Sequence, residues 1–184
     1  CALPIFRCFG LDPVEEPVQV RQQVGWMTDD QPLPVARISY LFERFAPFYP
    51  SWDTELCRRL CERFGLDPRR PSNQLSKGEG TRLRLVLALS YRPKLLLLDE
   101  PGTGLDVPQR RMMLAEVMEV VRDPGRTVLF STHRAEDVER VADRVLILEQ
   151  GRLQADGTVE QVTRGDPEEH TSELQSQFRI SYAV

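Results

Sequence analysis

Histidine, cysteine and long hydrophobic runs are scarce in this chain. It has two histidines and four cysteines among 184 residues, and neither cysteine pair, Cys1 with Cys8 or Cys57 with Cys61, has histidines at the spacing of a zinc site. The longest apolar runs, around 85–89 and 95–98, are far shorter than the roughly 18 residues of a membrane helix. The sequence therefore predicts no zinc site and no direct membrane span, and free thiols favour a reducing, cytoplasmic compartment.

A surplus of positive charge is also lacking. The 24 basic residues nearly balance the 28 acidic ones, and the net charge at pH 7 is −4. This balance excludes a broad cationic surface for a nucleic-acid backbone, so no nucleic-acid partner is predicted and any phosphate must be bound locally. The 41% hydrophobic and 28% charged residues are typical of a globular domain.

The spacing of apolar residues divides the chain into two regions. The first has a predicted strand at 18–27, a proline-containing loop, and predicted helices at 35–48, 53–64 and 78–91. The second region alternates between strands and helices. Its predicted elements are strands at 94–99, 127–131, 145–149 and 153–155, and helices at 108–121, 135–142 and 159–163. Continuous apolar strands such as Leu95–Leu98 predict an α/β fold whose parallel sheet has helices on both faces.

Two acidic residues, Asp99 and Glu100, directly follow the most apolar of these strands. Ligands of parallel sheets bind at the carboxyl ends of the strands. Phosphate-processing enzymes use acids in this position to hold magnesium and to orient a water molecule. Acids also end strands as ordinary helix caps, so the pair alone leaves both interpretations open.

Two further polar residues also have both a structural and a ligand-binding interpretation. Ser76 begins a predicted helix, where its hydroxyl either simply caps the helix or marks a helix start whose amides bind phosphate. His133 follows a predicted strand at the same edge of the sheet, where it is either structural or a ligand contact. Neither residue decides the question on its own.

Taken in order, four short sequences resemble motifs of the nucleotide-binding subunit of ATP-binding cassette (ABC) transporters. They are LSKGE at 75–79, LLLLDEP at 95–101, GTGLD at 102–106 and STH at 131–133. The resemblance covers residues 10–165. It implies a partial P-loop NTPase-type parallel sheet with helices on both faces and an inserted helical subdomain at about 35–91.

The resemblance also implies a role for each matched residue. Asp99 is expected to bind Mg²⁺, Glu100 to act as general base for the attacking water, and His133 to contact the terminal phosphate. Other matched positions are expected to contact ATP, several of them from across a subunit interface. These expected ATP-binding residues are Leu75, Ser76, Lys77, Gly78, Glu79, Asp29 and Asp106.

Three positions depart from the pattern of the family. In the LSGGQ loop, Lys77 replaces a glycine and Glu79 replaces the glutamine. The strand that precedes the family's Q-loop is also matched, but Asp29 or Asp30 stands where the Q-loop glutamine is expected. Gln31 is close enough in the sequence to substitute for it.

One element of the family is absent from the sequence. The 184 residues contain no G-x-x-x-x-G-K-[ST] sequence, the Walker A loop that cradles the β and γ phosphates. The match is expected to begin near Gly10, after that loop, so that residues 10–165 form a partial ABC ATPase domain. Residues 1–9 and 166–184 are predicted to be non-native or disordered ends. The fragment is predicted to be inactive alone.

The resemblance implies a subunit that binds and hydrolyses ATP at a subunit interface and couples hydrolysis to transport. The expected cofactors are ATP and Mg²⁺. The expected partners are a second ABC ATPase subunit, in a homodimer or heterodimer, and a transmembrane permease subunit at the inner face of the cell membrane. A soluble ABC ATPase without a transport role is one alternative, which the acidic charge and the lack of long coiled coils disfavour. A non-catalytic dimerisation module is another, which the absent Walker A loop favours and the intact Asp99, Glu100 and His133 disfavour.

Overall fold

The computed structural model describes residues 6–164 and 181–183, which form a mixed α/β fold. The strands are β1 (Val24–Met27), β2 (Leu95–Asp99), β3 (Thr127–Ser131), β4 (Arg144–Glu149), β5 (Arg152–Thr158) and β6 (Ser181–Ala183). The helices are α1 (Pro17–Arg21), α2 (Ile38–Phe45), α3 (Thr54–Arg63), α4 (Lys77–Leu89), α5 (Val107–Val121), α6 (Ala135–Val141) and α7 (Val159–Arg164). Short 3-10 helices lie at Ala46–Phe48 and Ser72–Gln74.

The strands form a six-stranded sheet in the order β1-β2-β3-β6-β4-β5. β1, β2 and β3 are parallel neighbours, with Met27 opposite Leu98 and Leu98 opposite Phe130. β4 and β5 form an antiparallel hairpin, and its turn places Gln150 and Gly151 in the left-handed region, with φ of 48° and 76°. The three parallel strands confirm the predicted α/β class, and their carboxyl ends lie along one edge of the sheet.

The described end of the chain takes part in the sheet. β6 lies between β3 and β4 and is antiparallel to both. The non-native or disordered tail at 166–184 stays a prediction; within it, Ser181–Ala183 pair with backbone groups of β3 and β4. The rest of the tail, like residues 1–5 of the predicted non-native start, lies outside the described residues.

The predicted strand at 18–27 is wrong in its first half. Pro17–Arg21 form α1, and the strand begins only at Val24. Proline is favourable in the first turn of a helix, because its fixed φ suits the helix and its missing N–H has no helical partner there. Val18 and Val20 alternate with polar residues in the sequence, which is typical of a strand. A five-residue helix is too short to show the helical period that would correct this interpretation.

The core lies between the sheet and the longer helices. α4 contacts β1, and α5 contacts β3. α4 is buried along most of its length, as is typical of a helix covered on several sides. In β2, Leu96 and Leu98 are buried while Leu95 and Leu97 are half-buried. Both faces of this strand are therefore covered, as its continuous run of leucines predicts.

The helices α2, α3 and α4 occupy the range predicted as an inserted helical subdomain. α3 begins after Asp53, whose side chain accepts a hydrogen bond from the Leu56 amide at 2.8 Å. It ends just before Gly65, which has a φ of 65°, as is common after the last turn of a helix. Cys57 and Cys61 are buried free thiols on this helix. α4 joins the helical region to the sheet, because it packs on both α3 and β1.

Candidate functional site

The carboxyl ends of β2 and β3 carry a hydrogen-bonded group of polar residues. Asp99, the last residue of β2, is paired in register with Ser131, the last residue of β3. The Ser131 hydroxyl donates to Asp99 Oδ1 at 2.5 Å and accepts from the Glu100 amide at 3.0 Å. One serine therefore contacts both acidic residues at the end of the sheet.

Glu100 has an unusual backbone conformation. Its φ is +47°, in the left-handed region that residues other than glycine rarely adopt. Its Oε2 atom lies 2.9 Å from Nδ1 of His133, and the His133 side chain remains 64% exposed. The two side chains thus meet at the sheet edge although they follow different strands.

Asp99, Glu100 and His133, which the sequence assigns to metal binding and catalysis, therefore lie in one connected group. Their chemical roles stay predictions. Ser131 belongs to the STH sequence at this edge but was not predicted as a site residue. Its position at the end of a predicted strand is a signal, but its contact with Asp99 depends on the strand register, which the sequence does not specify.

This group, which we call the sheet-edge group (Asp99, Glu100, Ser131 and His133), suits a magnesium ion that binds together with phosphates. Its carboxylates and hydroxyl offer oxygen, the ligand atom that Mg²⁺ prefers. Mg²⁺ is usually bound by one or two carboxylates plus substrate phosphates. Within residues 6–164 and 181–183, no three His, Cys, Asp or Glu side chains converge as a metal site. The donors fit a metal that arrives with its ligand better than a permanent structural metal.

The start of α4 is a capping box. Ser76 Oγ accepts from the Glu79 amide at 3.3 Å, and Glu79 Oε2 accepts from the Ser76 amide at 2.8 Å. Arg70 Nη1 lies 2.5 Å from Glu79 Oε1. The hydrogen bond from the Ser76 amide, supported by Arg70, lowers the pKa of Glu79 although burial opposes this. The Ser76 and Glu79 side chains of the predicted ATP-binding loop are thus already bonded within the chain.

Gly78 brings α4 close to the loop between β2 and α5. A Cβ atom at Gly78 would lie 3.1 Å from the Gly104 carbonyl oxygen and 3.3 Å from Gln109 Oε1. Asp106 caps α5 by accepting from the Gln109 amide at 2.8 Å. Leu75, the residue before the capping serine, packs against the core. Gly78, Asp106 and Leu75 therefore have structural contacts that are independent of any ligand.

The loop after β1 also contacts α4. Lys77 Nζ lies 2.8 Å from Asp29 Oδ2. Arg84 Nε donates to the Gln31 carbonyl oxygen at 2.7 Å. The structure thus connects two of the predicted ATP-binding residues, Asp29 and Lys77, by an ion pair that the sequence did not predict.

Apart from Asp106, which caps α5, the predicted site residues form two separate groups. One is the sheet-edge group. The other, which we call the α4 start, comprises residues 75–79, and Asp29 is bound to it through Lys77. Among the hydrogen bonds and ion pairs of the part of the chain that the structure describes, none joins the two groups. The β2–α5 loop lies between them, because it follows Asp99 and contacts Gly78 through Gly104.

A buried ion pair supports this loop. Arg110 Nε on α5 lies 3.3 Å from Asp137 Oδ1 on α6, with side chains 8% and 9% exposed. A Cβ atom at Gly102 would lie 2.9 Å from Arg110 Cδ, so the loop packs directly on the arginine. Burial raises the pKa of Asp137, and the charge of Arg110 opposes this rise. The pair joins α5 to the helix that closely follows His133.

Known proteins resemble this chain over most of its length. A family model described as "AAA domain, putative AbiEii toxin, Type IV TA system" matches residues 36–136. The nickel import ATP-binding protein NikO of Rhodobacter capsulatus is 36% identical over 155 residues, which cover 79% of this chain and 61% of NikO. The daunorubicin/doxorubicin resistance ATP-binding protein DrrA of Streptomyces peucetius is 32% identical over 158 residues, which cover 83% of this chain and 48% of DrrA.

A solved structure described as the ATP-binding subunit of an ABC transporter has a similar fold. Its TM-score is 0.77 at 26% sequence identity, and the match covers 92% of this chain and 70% of that chain. The chain belongs to the AAA-domain family, and it resembles ATP-binding subunits of ABC transporters in sequence and fold. The chain spans about half to three fifths of the length of the two curated relatives. In its described residues, no helix is long and apolar enough to cross a membrane.

Proposed function

We propose that this chain is an ABC transporter subunit that binds and hydrolyses ATP at an interface with a second ABC ATPase subunit and couples hydrolysis to transport by a membrane permease. The observation that carries the proposal is the hydrogen-bonded sheet-edge group. Phosphoryl transfer to water needs a metal ligand, a group that orients the water and a stabilising contact to the phosphate. The sheet-edge group offers a residue for each of these tasks.

Each residue of the sheet-edge group has its own part in the proposed reaction. Asp99 and Ser131 hold Mg²⁺, which supplies positive charge to the phosphates when it is bound. Glu100 orients the attacking water and accepts its proton on the carboxylate. His133 contacts the terminal phosphate through its exposed ring, and its 2.9 Å contact with Glu100 keeps the base beside the reacting phosphate.

The α4 start serves a nucleotide held mainly by the second subunit. Ser76 and Gly78 lie at the N-terminus of a 13-residue helix, whose dipole and free amides favour a phosphate. No Walker A sequence occurs in the 184 residues, so this chain presents phosphate contacts from its two groups but no glycine cradle. We therefore expect little or no ATP turnover by the 184-residue chain alone.

The contact with the permease lies in a cavity beside α4. The cavity has a volume of about 410 Å³, and its largely aromatic and aliphatic lining includes Trp26, Phe45 and Tyr49 together with Arg21 and Arg84. Trp26 is 54% exposed. A groove of this composition fits the apolar face of a short amphipathic helix that carries acidic residues. A permease helix bound there would hold the subunit at the cytoplasmic face of the membrane.

The assignment of the base is tested by Glu100→Gln in a subunit that carries this sequence together with a Walker A loop. Nucleotide binding is expected to persist, and single-turnover hydrolysis is expected to fall by about 100-fold or more, because the general base is lost. Glu136→Gln is the control, since the Glu136 side chain is 78% exposed and contacts only Arg134 among the ion pairs of the described residues. Unchanged hydrolysis in Glu100→Gln contradicts the assignment.

A non-catalytic dimerisation module is the second candidate, favoured by the absence of a Walker A sequence from the 184 residues. The same subunit distinguishes it from the first candidate. Binding of ATP without hydrolysis while Glu100 is intact supports the second candidate. Hydrolysis that depends on Glu100 supports the first.

A further inference from the structure

Two charged residues that depart from the pattern of the family contact each other. Lys77 stands where the LSGGQ loop has a glycine, and Asp29 stands near the place of the Q-loop glutamine. They are far apart in the sequence, but Lys77 Nζ and Asp29 Oδ2 are 2.8 Å apart. The two departures are therefore a matched pair of opposite charges.

Each of these charges is unfavourable without the other. Lys77 is the first residue of α4, where the helix dipole disfavours a cation. The Asp29 side chain is only 24% exposed, and its Oδ1 atom is buried without a hydrogen-bond partner in the described part of the chain. Loss of Lys77 would leave a poorly hydrated carboxylate with no compensating charge.

The side chain of Lys77 also contacts a third segment. A Cβ atom at Gly104, whose φ is +76°, would lie 3.2 Å from both Cγ and Cδ of Lys77. The aliphatic part of the lysine therefore packs on the β2–α5 loop while its charge binds the loop after β1. A second cation of α4, Arg84, binds that same loop through the Gln31 carbonyl oxygen at 2.7 Å.

We propose that the Lys77–Asp29 ion pair couples the loop at 28–31 to the first turn of α4, so that the two segments open and close as one unit. The effect of this coupling on nucleotide binding rests on the proposed function. In the proposed dimer, the α4 start faces a nucleotide held by the second subunit, and Asp29 faces the nucleotide of its own chain. The ion pair then transmits a change at one nucleotide site to the other through a single chain.

The coupling is tested by amide hydrogen exchange on the 184-residue chain without nucleotide. Lys77→Met keeps the aliphatic packing on Gly104, removes the charge and leaves Asp29 unpaired. We expect the amides of Gly80 and Gln31, which donate to Ser76 and Thr28 carbonyl oxygens, to exchange faster by the same factor, about three- to ten-fold. Equal factors in two segments report coupling, whereas a purely local role of Lys77 changes only the α4 amide.

Asp29→Asn separates the effect of losing the ion pair from the effect of leaving a buried carboxylate unpaired. This variant is expected to accelerate exchange less than Lys77→Met, because it leaves no buried carboxylate unpaired. The double variant Lys77→Met with Asp29→Asn is expected to exchange more slowly than Lys77→Met alone. High salt is expected to accelerate exchange in the unmodified chain but not in the double variant.

A similar ion pair elsewhere supplies the control. Arg144 Nε lies 2.7 Å from Asp156 Oδ1, with side chains 56% and 37% exposed, and Arg144→Met is expected to leave the amides of both coupled segments unchanged. Acceleration confined to α4, or a double variant as fast as Lys77→Met, overturns the proposal. Because these measurements contain no nucleotide, their outcome is independent of whether the chain binds ATP. Failure of a subunit that carries this sequence and a Walker A loop to bind ATP would overturn the proposed function and leave the coupling standing.

Discussion

The sheet-edge group and the α4 start contribute to the same proposed chemistry but are held in different ways. At the sheet edge, functional side chains bind one another across strands, since Ser131 contacts Asp99 and the Glu100 amide. At the α4 start, Ser76 and Glu79 bond each other within one helical turn, while Lys77 and Glu79 also pair with Asp29 and Arg70 outside the helix. The first arrangement is built by tertiary structure, whereas the capping box of the second is built by local sequence.

This difference determines how strongly substitutions in each region destabilise the domain. The sheet edge depends on the register of β2 with β3, on the strained backbone of Glu100 and on the buried ion pair beneath the adjoining loop. A capping box forms wherever its helix forms. We therefore expect substitutions around the sheet edge to destabilise the domain more than substitutions at the α4 start, and the following predictions rank that difference.

The largest effect is expected from the ion pair that supports the loop of the sheet edge. Arg110→Met leaves Asp137 as an unpaired, buried carboxylate, which is expected to lower the free energy of unfolding by about 3–5 kcal/mol. Urea denaturation monitored by tryptophan fluorescence measures this loss. The double variant Arg110→Met with Asp137→Leu is expected to be more stable than Arg110→Met alone. Equal stability of the single and double variants would show that the unpaired charge is not the cause.

A smaller effect is expected from the serine that links the two strand ends. Ser131→Ala removes the acceptor of the Glu100 amide and one donor to Asp99, and it is expected to cost about 1–2 kcal/mol of unfolding free energy. The same urea titration measures it. A variant as stable as the unmodified chain would mean that Ser131 does not hold the sheet edge together.

The matching substitution at the α4 start is expected to have a comparable or smaller effect. Ser76→Ala removes the side-chain acceptor for the Glu79 amide and is expected to cost about 1 kcal/mol. Ser76→Asp is expected to restore stability, because aspartate caps helices well and its charge suits the helix dipole. If Ser76→Ala destabilises the chain clearly more than Ser131→Ala, the ranking of the two regions is reversed.

The smallest loss of stability is expected from Glu79→Gln, and this loss depends on pH. Glu79→Gln keeps an N3 residue suited to a capping box but loses the charged contact with Arg70, at an expected cost of about 0.5–1 kcal/mol at pH 7. The hydrogen bond from the Ser76 amide lowers the pKa of Glu79 in the folded chain from an ordinary value of 4.5. The charge therefore stabilises the fold fully above that value and loses this contribution as the pH falls through the folded-state pKa.

Stability of the unmodified chain and of Glu79→Gln, measured in urea at pH 7 and at several values below 4.5, checks this dependence. The two chains are expected to converge on acidification. A gap that stays constant over the whole range would show that the charge of Glu79 contributes nothing.

Most of the sheet-edge group could be predicted from the sequence, because its residues directly follow predicted strands of a parallel sheet. The leucines of β2 predict a covered parallel strand, and the acids and His133 follow predicted strands, so their approach to one edge follows from the fold class. The position of Ser131 opposite Asp99 did not follow, because strand register depends on packing across the whole sheet. The left-handed backbone of Glu100 has no sequence signal either, since a charged residue gives no indication of positive φ.

Contacts between distant surface segments were the least predictable. Asp29 and Lys77 were recognised separately as departures from the family pattern, but charged residues rarely specify their partners in a sequence. α1 was predicted as a strand because five residues are too few to show a helical period. β6 was missed because its pairing uses backbone groups, which any sequence can supply.

The central claim is that the sheet-edge group and the α4 start act on two different nucleotides within a dimer. A structure of a Glu100→Gln subunit that carries this sequence and a Walker A loop, determined with ATP and Mg²⁺, tests it most directly. The account predicts that each terminal phosphate lies beside Asp99 and His133 of one copy and beside Ser76 and Gly78 of the other. A nucleotide that contacts all four residues of a single copy, or none of them, would contradict the account.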